Sequence, residues 1–322
     1  MKKLFLVCFI FLISATMVFA NGAAESNAPS YPSEHATVIV PYNAGGGNDI
    51  VTRALVEAAK DSFPKGITVE NRTGGGGVVG LLYGATAKAD GYTITNTPVE
   101  TVTLPHTPTG AGLKASMFQP IISINESFSC LTVNADSPYQ TLDDFINAAK
   151  TKTLQMGNSG IGAIWHLGAA ALAQEANIEV KHIPFEGGAV CITELLGNHV
   201  DAITNSYDEV RPHAEAGALR VLCVFAPERL SYAPDIPTAK ELGYNVICSA
   251  WRGISVPAGT PSDVVDKLSE ILYNAAQSEQ FQTLMKNANF PVVIMDKETF
   301  EERMAQDDKY YGQLIEKLGL NK

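Results

Sequence analysis

The chain predicts an α/β protein built as two lobes. Two observations lead there. Short apolar strands alternate with amphipathic helices from residue 36 onward, and a β-α-β-α-β order implies a parallel sheet with helices on both faces. Four glycine-bearing turns, at Gly45–Gly47, Gly74–Gly77, Gly157–Gly162 and Gly187–Gly188, each precede a predicted helix. In parallel sheets such turns gather at the carboxyl ends of strands, where ligands bind, so two lobes can aim helix N-termini at one cleft.

The elements follow in order. Lys2 and Lys3, the apolar run from Leu4 and the "VFA" ending at Ala20 read as a secretory signal peptide over 1–20, cleaved after Ala20. Residues 21–34 are small and polar and read as a tether. "TVIVPY" is a strand, and Asp49–Lys60 is a helix with Ile50, Val51, Ala54, Leu55 and Ala58 on one face. "ITVEN", a helix opening on Gly74–Gly77, and "YTITNT" complete the first set. The second set runs from "TLDDFINAAK", where Thr141 and Asp144 form a capping pair, through "TLQMGNSG", the helix Ala163–Glu175, "VKHIPF", "GAVCITELLG", "VDAITNS", "DEVRPHAEAG" and "LRVLCVFA". "RLSYAPDIPTAKELG" predicts a short helix, and "WRGISVPAGTP" a strand before a helix. Thr260 is the expected N-cap of that helix, with Pro261 at its first position. The remainder reads as mainly helical.

Composition narrows the function. The 322-residue chain carries a net charge of -11, and without Lys2 and Lys3 about -13, 21 basic against 34 acidic residues. That is a poor match for nucleic acid or anionic lipid. Cys130, Cys191, Cys223 and Cys248 have apolar neighbours and no metal-ligand spacing, so buried thiols are expected. "GGGVVG" from Gly75 to Gly80 matches the dinucleotide-binding pattern, but no strand-end acid follows at the expected distance. Ser159 and His166 are the only pair that suggests a nucleophile and base, with no orienting acid identifiable. No metal or cofactor is expected.

Seven blocks carry a resemblance: "VPYNAGGGNDIVTRAL", "VENRTGGGGVVG", "ADGYTI", "GNSGIGAIWHLGAAAL", "HIPFEGGAVCITELLGNHVDA", "PDIPTAKELG" and "WRGISVPAGTP". In this order, over residues 36–320, they resemble the solute-binding proteins of tripartite tricarboxylate transporters, the Bug family. The resemblance implies a type II periplasmic binding protein: two α/β lobes joined by crossing strands, with ligand between them. Lobe one would be 35–132 plus 247–322 and lobe two 133–246. It also implies a monomer that holds a small organic acid through backbone amides and water, often without an arginine, and delivers it to membrane permease subunits.

Matched to the family's blocks, the implied ligand-binding residues in lobe one are Tyr42, Gly46, Gly47, Asn48, Thr97 and Pro98. Lobe two would contribute Asn158, Ser159, Gly160, His166, Gly187, Gly188, Asn205 and Asp208, with Trp165 as a wall. Tyr42, Asn43 and Ala44 stand where many members have an apolar run, and Glu186 where many have lysine. These departures favour a ligand with added hydroxyl or amine groups. The rival readings are an exported hydrolase or transferase using Ser159 and His166, and a sensor that presents its closed form to a receptor.

Overall fold

The computed structural model describes residues 31–322. The expected signal peptide and most of the tether lie outside the described residues. Of the tether's end, Tyr31 packs on Tyr92 with ring centroids 5.2 Å apart, and Ser33 N–H donates to the Tyr92 hydroxyl at 2.8 Å.

The first half of the fold contains β1 (Ala36–Val40), α1 (Gly47–Ala59), β2 (Ile67–Asn71), α2 (Val78–Ala85), β3 (Thr93–Pro98) and the single turn α3 (Glu100–Thr103). β1 pairs in parallel with both β2 and β3, as the alternating order requires. The chain then runs along β4 (Phe118–Asn134) into α4 (Leu142–Ala149), β5 (Leu154–Asn158), α5 (Ile164–Ala176), β6 (Val180–Pro184), α6 (Gly188–Leu196), β7 (Ala202–Ser206), α7 (Tyr207–Glu215) and β8 (Leu219–Val224). It returns through β9 (Ser249–Pro257) and ends with α8 (Ser262–Gln277), α9 (Glu279–Asn287) and α10 (Lys297–Lys317). The strand order is β2-β1-β3-β9-β4-β7-β5-β6, with β8 also on β4.

β4 makes this one molecule with two lobes. Up to Phe128 it pairs antiparallel with β9; from Ser129 it pairs with β7, and from Cys130 with β8. Register shifts at Pro120/Ile122 and Ser123/Asn125 mark irregularities that bend a strand, which lets one strand serve both lobes. Each lobe has apolar packing of its own. Val38, Leu55, Ile94, Ile254, Leu268 and Phe281 lie in one cluster, and Cys191, Leu195, Ile203 and Val210 in another. A third cluster spans the crossing: Leu131, Trp165 and Phe225 meet Trp251 of β9 and Phe300 and Met304 of α10. Trp251 donates its Nε1–H to Asp307 Oδ2 at 2.7 Å and meets Phe300 edge-on at 5.0 Å, so α10 straps the crossing strands.

Most expected elements lie where periodicity puts them, with three differences. Residues 229–243 form turns and no helix. Thr260 does not cap α8: its hydroxyl donates back to Pro257 O at 2.7 Å, Pro261 is the N-cap, and the helix starts at Ser262. α1 begins at Gly47, two residues before Asp49. The Thr141–Asp144 capping box is present in full. The four cysteines are buried and unpaired, and burial pushes the Cys130 thiol up to about 12. Among the described residues no helix is long and apolar enough to cross a membrane.

Gly253 sits under the Phe300 ring, and a Cβ there would collide with that ring and lie 3.0 Å from Ile122 O. Gly253→Ala should therefore destabilise the fold by about 1–3 kcal/mol through overpacking. Phe300→Leu in the same chain should relieve part of the loss. Urea midpoints of the single and double variants measure this; an unchanged midpoint in Gly253→Ala would show that Phe300 moves aside freely.

Candidate functional site

The strands β1, β3, β5 and β7 deliver their ends to one cleft. β1 leads into Tyr42–Gly46, and α1 starts at Gly47. Gly46 is the N-cap and has no side chain to accept a helix N–H. The acceptor comes from the other lobe. Glu209, in the first turn of α7, reaches across so that Oε1 accepts the Gly47 N–H at 2.8 Å. Its other oxygen lies 3.5 Å from Nη2 of Arg252 on β9, and the two side chains are only 7% and 2% exposed.

Arg252 is held from β4. Its cross-strand partner Asn125 accepts from Nη1, and Ser127 Oγ accepts from the same nitrogen at 2.9 Å. The guanidinium carbon lies 5.3 Å from the Phe290 ring centre. The Nε of Arg252 is buried without a partner. Two glycines allow this crowding. A Cβ on Gly47 would come within 2.5 Å of Arg252 Nη2, and one on Gly188 within 2.7 Å of Glu209 Oε1.

A second glutamate bridges in the opposite direction. Glu100 of α3 accepts the N–H of Ile164, the first residue of α5, at 3.0 Å. It is 3% exposed, and burial raises its carboxyl above the usual range. Asn43 adds a third cross-lobe bond, donating to Glu186 O at 2.9 Å. Tyr42 donates to Gly76 O at 2.7 Å, and burial raises its phenol well above its usual value. The space left among these groups is about 20 Å³, room for about one water.

Of the expected ligand-binding residues, the pocket gathers Tyr42, Gly46, Gly47, Asn48, Pro98, Ser159, Gly187 and Gly188. Thr97, Asn158, Gly160, His166, Asn205 and Asp208 stand outside its lining. Thr97 Oγ1 bonds Ser255 Oγ at 2.7 Å, and Asn205 Nδ2 donates to Gly188 O at 3.1 Å from below. Gly160 lies against Gly76, so close that a Cβ on it would be 2.8 Å from Gly76 Cα. Asp208 accepts from the Tyr232 hydroxyl at 3.0 Å and is 1% exposed. The pocket also includes Asn43, Glu100, Trp165, Glu209 and Arg252. The signal for Arg252 was available: it is a lone charge inside the apolar stretch "ICSAWRGISV". Arg252 belongs to this lining, where the resemblance implies a site often without an arginine.

The comparisons with known proteins decide the family. The family model described as "Tripartite tricarboxylate transporter family receptor" matches residues 51–320. The chain belongs to that family. It is 28% identical over 311 residues, 96% of this chain and 95% of the other, to a Cupriavidus necator protein described as "UPF0065 protein in gbd 5'region". The structure of the periplasmic binding protein BugD superposes with a TM-score of 0.84 at 28% identity, over 90% of this chain and 99% of that one. MatC from Rhodopseudomonas palustris with bound malate superposes at 0.82 with 22% identity, over 88% of this chain and 100% of that one, and shows the same fold.

The family is one of periplasmic solute-binding receptors, not enzymes. Ser159 Oγ has no hydrogen-bond partner. His166 Nδ1 accepts the Gly162 N–H at 3.1 Å, and its ring meets His182 edge-on at 4.5 Å. Burial, with His182 beside it, drives the His166 imidazole down to about 3, so it stays neutral across the physiological range.

Asp208 generates a pH prediction. Burial raises its carboxyl to about 6, against the opposing pull of Ser127, Arg252 and Tyr232. The native state therefore keeps this proton where the unfolded chain, titrating near 3.9, has lost it. Its stabilising effect is present below about pH 4 and is lost as pH rises through about 6. The loss is at most about 3 kcal/mol. Asp208→Asn should match the parent near pH 4 and exceed it at pH 7. Urea midpoints of both proteins from pH 4 to 7 measure the difference; parallel curves would show that Asp208 titrates normally.

Proposed function

We propose that the protein captures a small carboxylate between its lobes in the periplasm and delivers it to the membrane permease of a tripartite tricarboxylate-type transporter. One observation carries this reading: the pocket already holds a carboxylate, its own. Glu209 sits on the N–H of the first residue of a 13-residue helix with Arg252 beside it. Exposed N–H groups, a helix dipole and a guanidinium are what an organic acid needs. They also explain how a chain of net charge -11 binds an anion, since distant charges are screened and these are adjacent. The malate in MatC supports the same ligand class.

Buried atoms without partners refine the ligand. Asn48 Oδ1, Ser159 Oγ and Arg252 Nε belong to pocket residues and await hydrogen bonds. A hydroxyl or amino group beside the carboxylate would satisfy Asn48 and Ser159. In this reading residues 1–20 are removed on export. Lobe one (35–132 plus 247–322) and lobe two (133–246) close by bending at the crossing strands, as a monomer.

A calorimetric and thermal-shift panel of mono- and dicarboxylates, with and without hydroxyl or amino groups, tests the reading. At 100 times its dissociation constant, a true ligand stabilises by about 2.7 kcal/mol. Arg252→Met should weaken binding by about 2–5 kcal/mol, the cost of truncating a buried charge partner. Gly47→Val should abolish binding, because the side chain would occupy the guanidinium's position. Circular dichroism on the same samples separates lost binding from lost fold. If no carboxylate raises the melting temperature, the reading fails.

A further inference from the structure

Glu209 occupies the place the proposed function assigns to a ligand carboxylate. We infer that it is a built-in occupant of the anion subsite, and that a ligand binds by displacing it. The inference rests on the carboxylate reading above.

Three observations support displacement rather than addition. The cleft has about 20 Å³ of free space, too little for a second carboxylate beside the first. Gly47 and Gly188 leave room for one carboxylate between them: a Cβ on either would stand 3.1 Å or 2.7 Å from the Glu209 oxygens. The third is the quality of the fit. Glu209 makes one good bond, to Gly47 N–H at 2.8 Å, but its approach to Arg252 is 3.5 Å, longer than the 2.7–2.9 Å of a charge-assisted hydrogen bond. The Nε of Arg252 has no partner at all. As placed from its tether on α7, Glu209 meets the helix N-terminus squarely but not the guanidinium. A free ligand carboxylate has no such tether and can take the unused donor.

Glu209 then acts as a specificity-determining residue. It sets a threshold that small, non-specific anions fail to cross, and only a ligand with further contacts displaces it.

The test uses the part of the side chain that mutation removes. Glu209→Ala deletes a carboxymethyl group, and acetate is its free counterpart. Melting temperatures are measured in sodium acetate against sodium chloride at equal ionic strength. Acetate should raise the melting temperature of Glu209→Ala saturably and leave the parent unchanged, and Arg252→Met added to Glu209→Ala should remove the response. Equal responses in parent and variant, or none in the variant, would overturn the inference. Should Glu209→Ala fold poorly, Glu209→Gln serves: it keeps an acceptor for Gly47 N–H but lacks the charge, so it should show a saturable acetate response that the parent lacks. The same response in Glu209→Gln and parent would also overturn it. Carboxylate binding by the parent without acetate rescue sinks only the displacement idea. Acetate rescue with no response to any acid in the panel sinks the choice of ligand class and leaves the subsite standing.

Discussion

The hydrogen bond from Gly47 N–H to Glu209, with Arg252 behind it, is the contact on which the cleft depends. Its necessity follows from the chain. A helix beginning at a glycine N-cap has no side chain to cover its first N–H groups, and burial makes an uncovered N–H costly. An arginine that is 2% exposed needs a counter-charge, because a buried unpaired cation is more costly still. One glutamate from the opposite lobe serves both, with a hydrogen bond to the helix at 2.8 Å and a looser approach of 3.5 Å to the guanidinium. Glu209 therefore ties the two lobes together at the cleft.

The arrangement is reciprocal. α5 also starts without a side-chain cap, at Ala163, and its first N–H is covered by Glu100 from the other lobe. Each lobe thus supplies a glutamate to a helix N-terminus of its partner. The remaining cross-cleft contacts named above, Asn43 to Glu186 O and the approach of Gly160 to Gly76, also involve polar or backbone atoms. Water can take the place of hydrogen bonds when lobes separate, whereas it cannot replace apolar packing. The apolar packing shared between lobes lies instead at the crossing strands, around Trp251 and Phe300. That is where a hinge needs to stay folded.

Much of this was legible in the sequence and some was not, for physical reasons. The strands and helices of both lobes follow apolar periodicity, which is local, and the glycine turns mark strand ends whatever partner they meet. β4 was not read as an element, and only the expected lobe boundary at 132/133 falls on it. "FQPIISINESFSCLTVN" mixes Pro120, Asn125 and Glu126 into its apolar run because it changes partners midway, so it lacks one consistent face. The segment 229–243 has helix-compatible spacing, but Pro234 and Pro237 break it and its bonds go to turns. The pairing of Glu209 with Arg252 and Gly47 joins three distant points of the chain, and no local pattern marks such a meeting. His166, expected among the ligand-binding residues, stands outside the pocket lining; its Nδ1 accepts the Gly162 N–H, which leaves the ring proton on Nε2.

Charge decides what kind of binding this cleft permits. Glu100 and Glu209 line it, Asp208 lies next to Glu209 in sequence, and Arg252 is the one cation among the lining residues. Adding an anion to that set would place like charges together where water is scarce, and their repulsion is not screened as it is at a surface. Burial already raises the carboxyls of Glu100 and Asp208, so their charged forms carry the cost of desolvation. Exchange of Glu209 for a ligand carboxylate avoids the addition: one anion leaves the helix N-terminus as another arrives, and the charge beside Arg252 is unchanged. On the displacement reading, the acidic cleft and an acidic ligand are compatible because the protein's own carboxylate leaves.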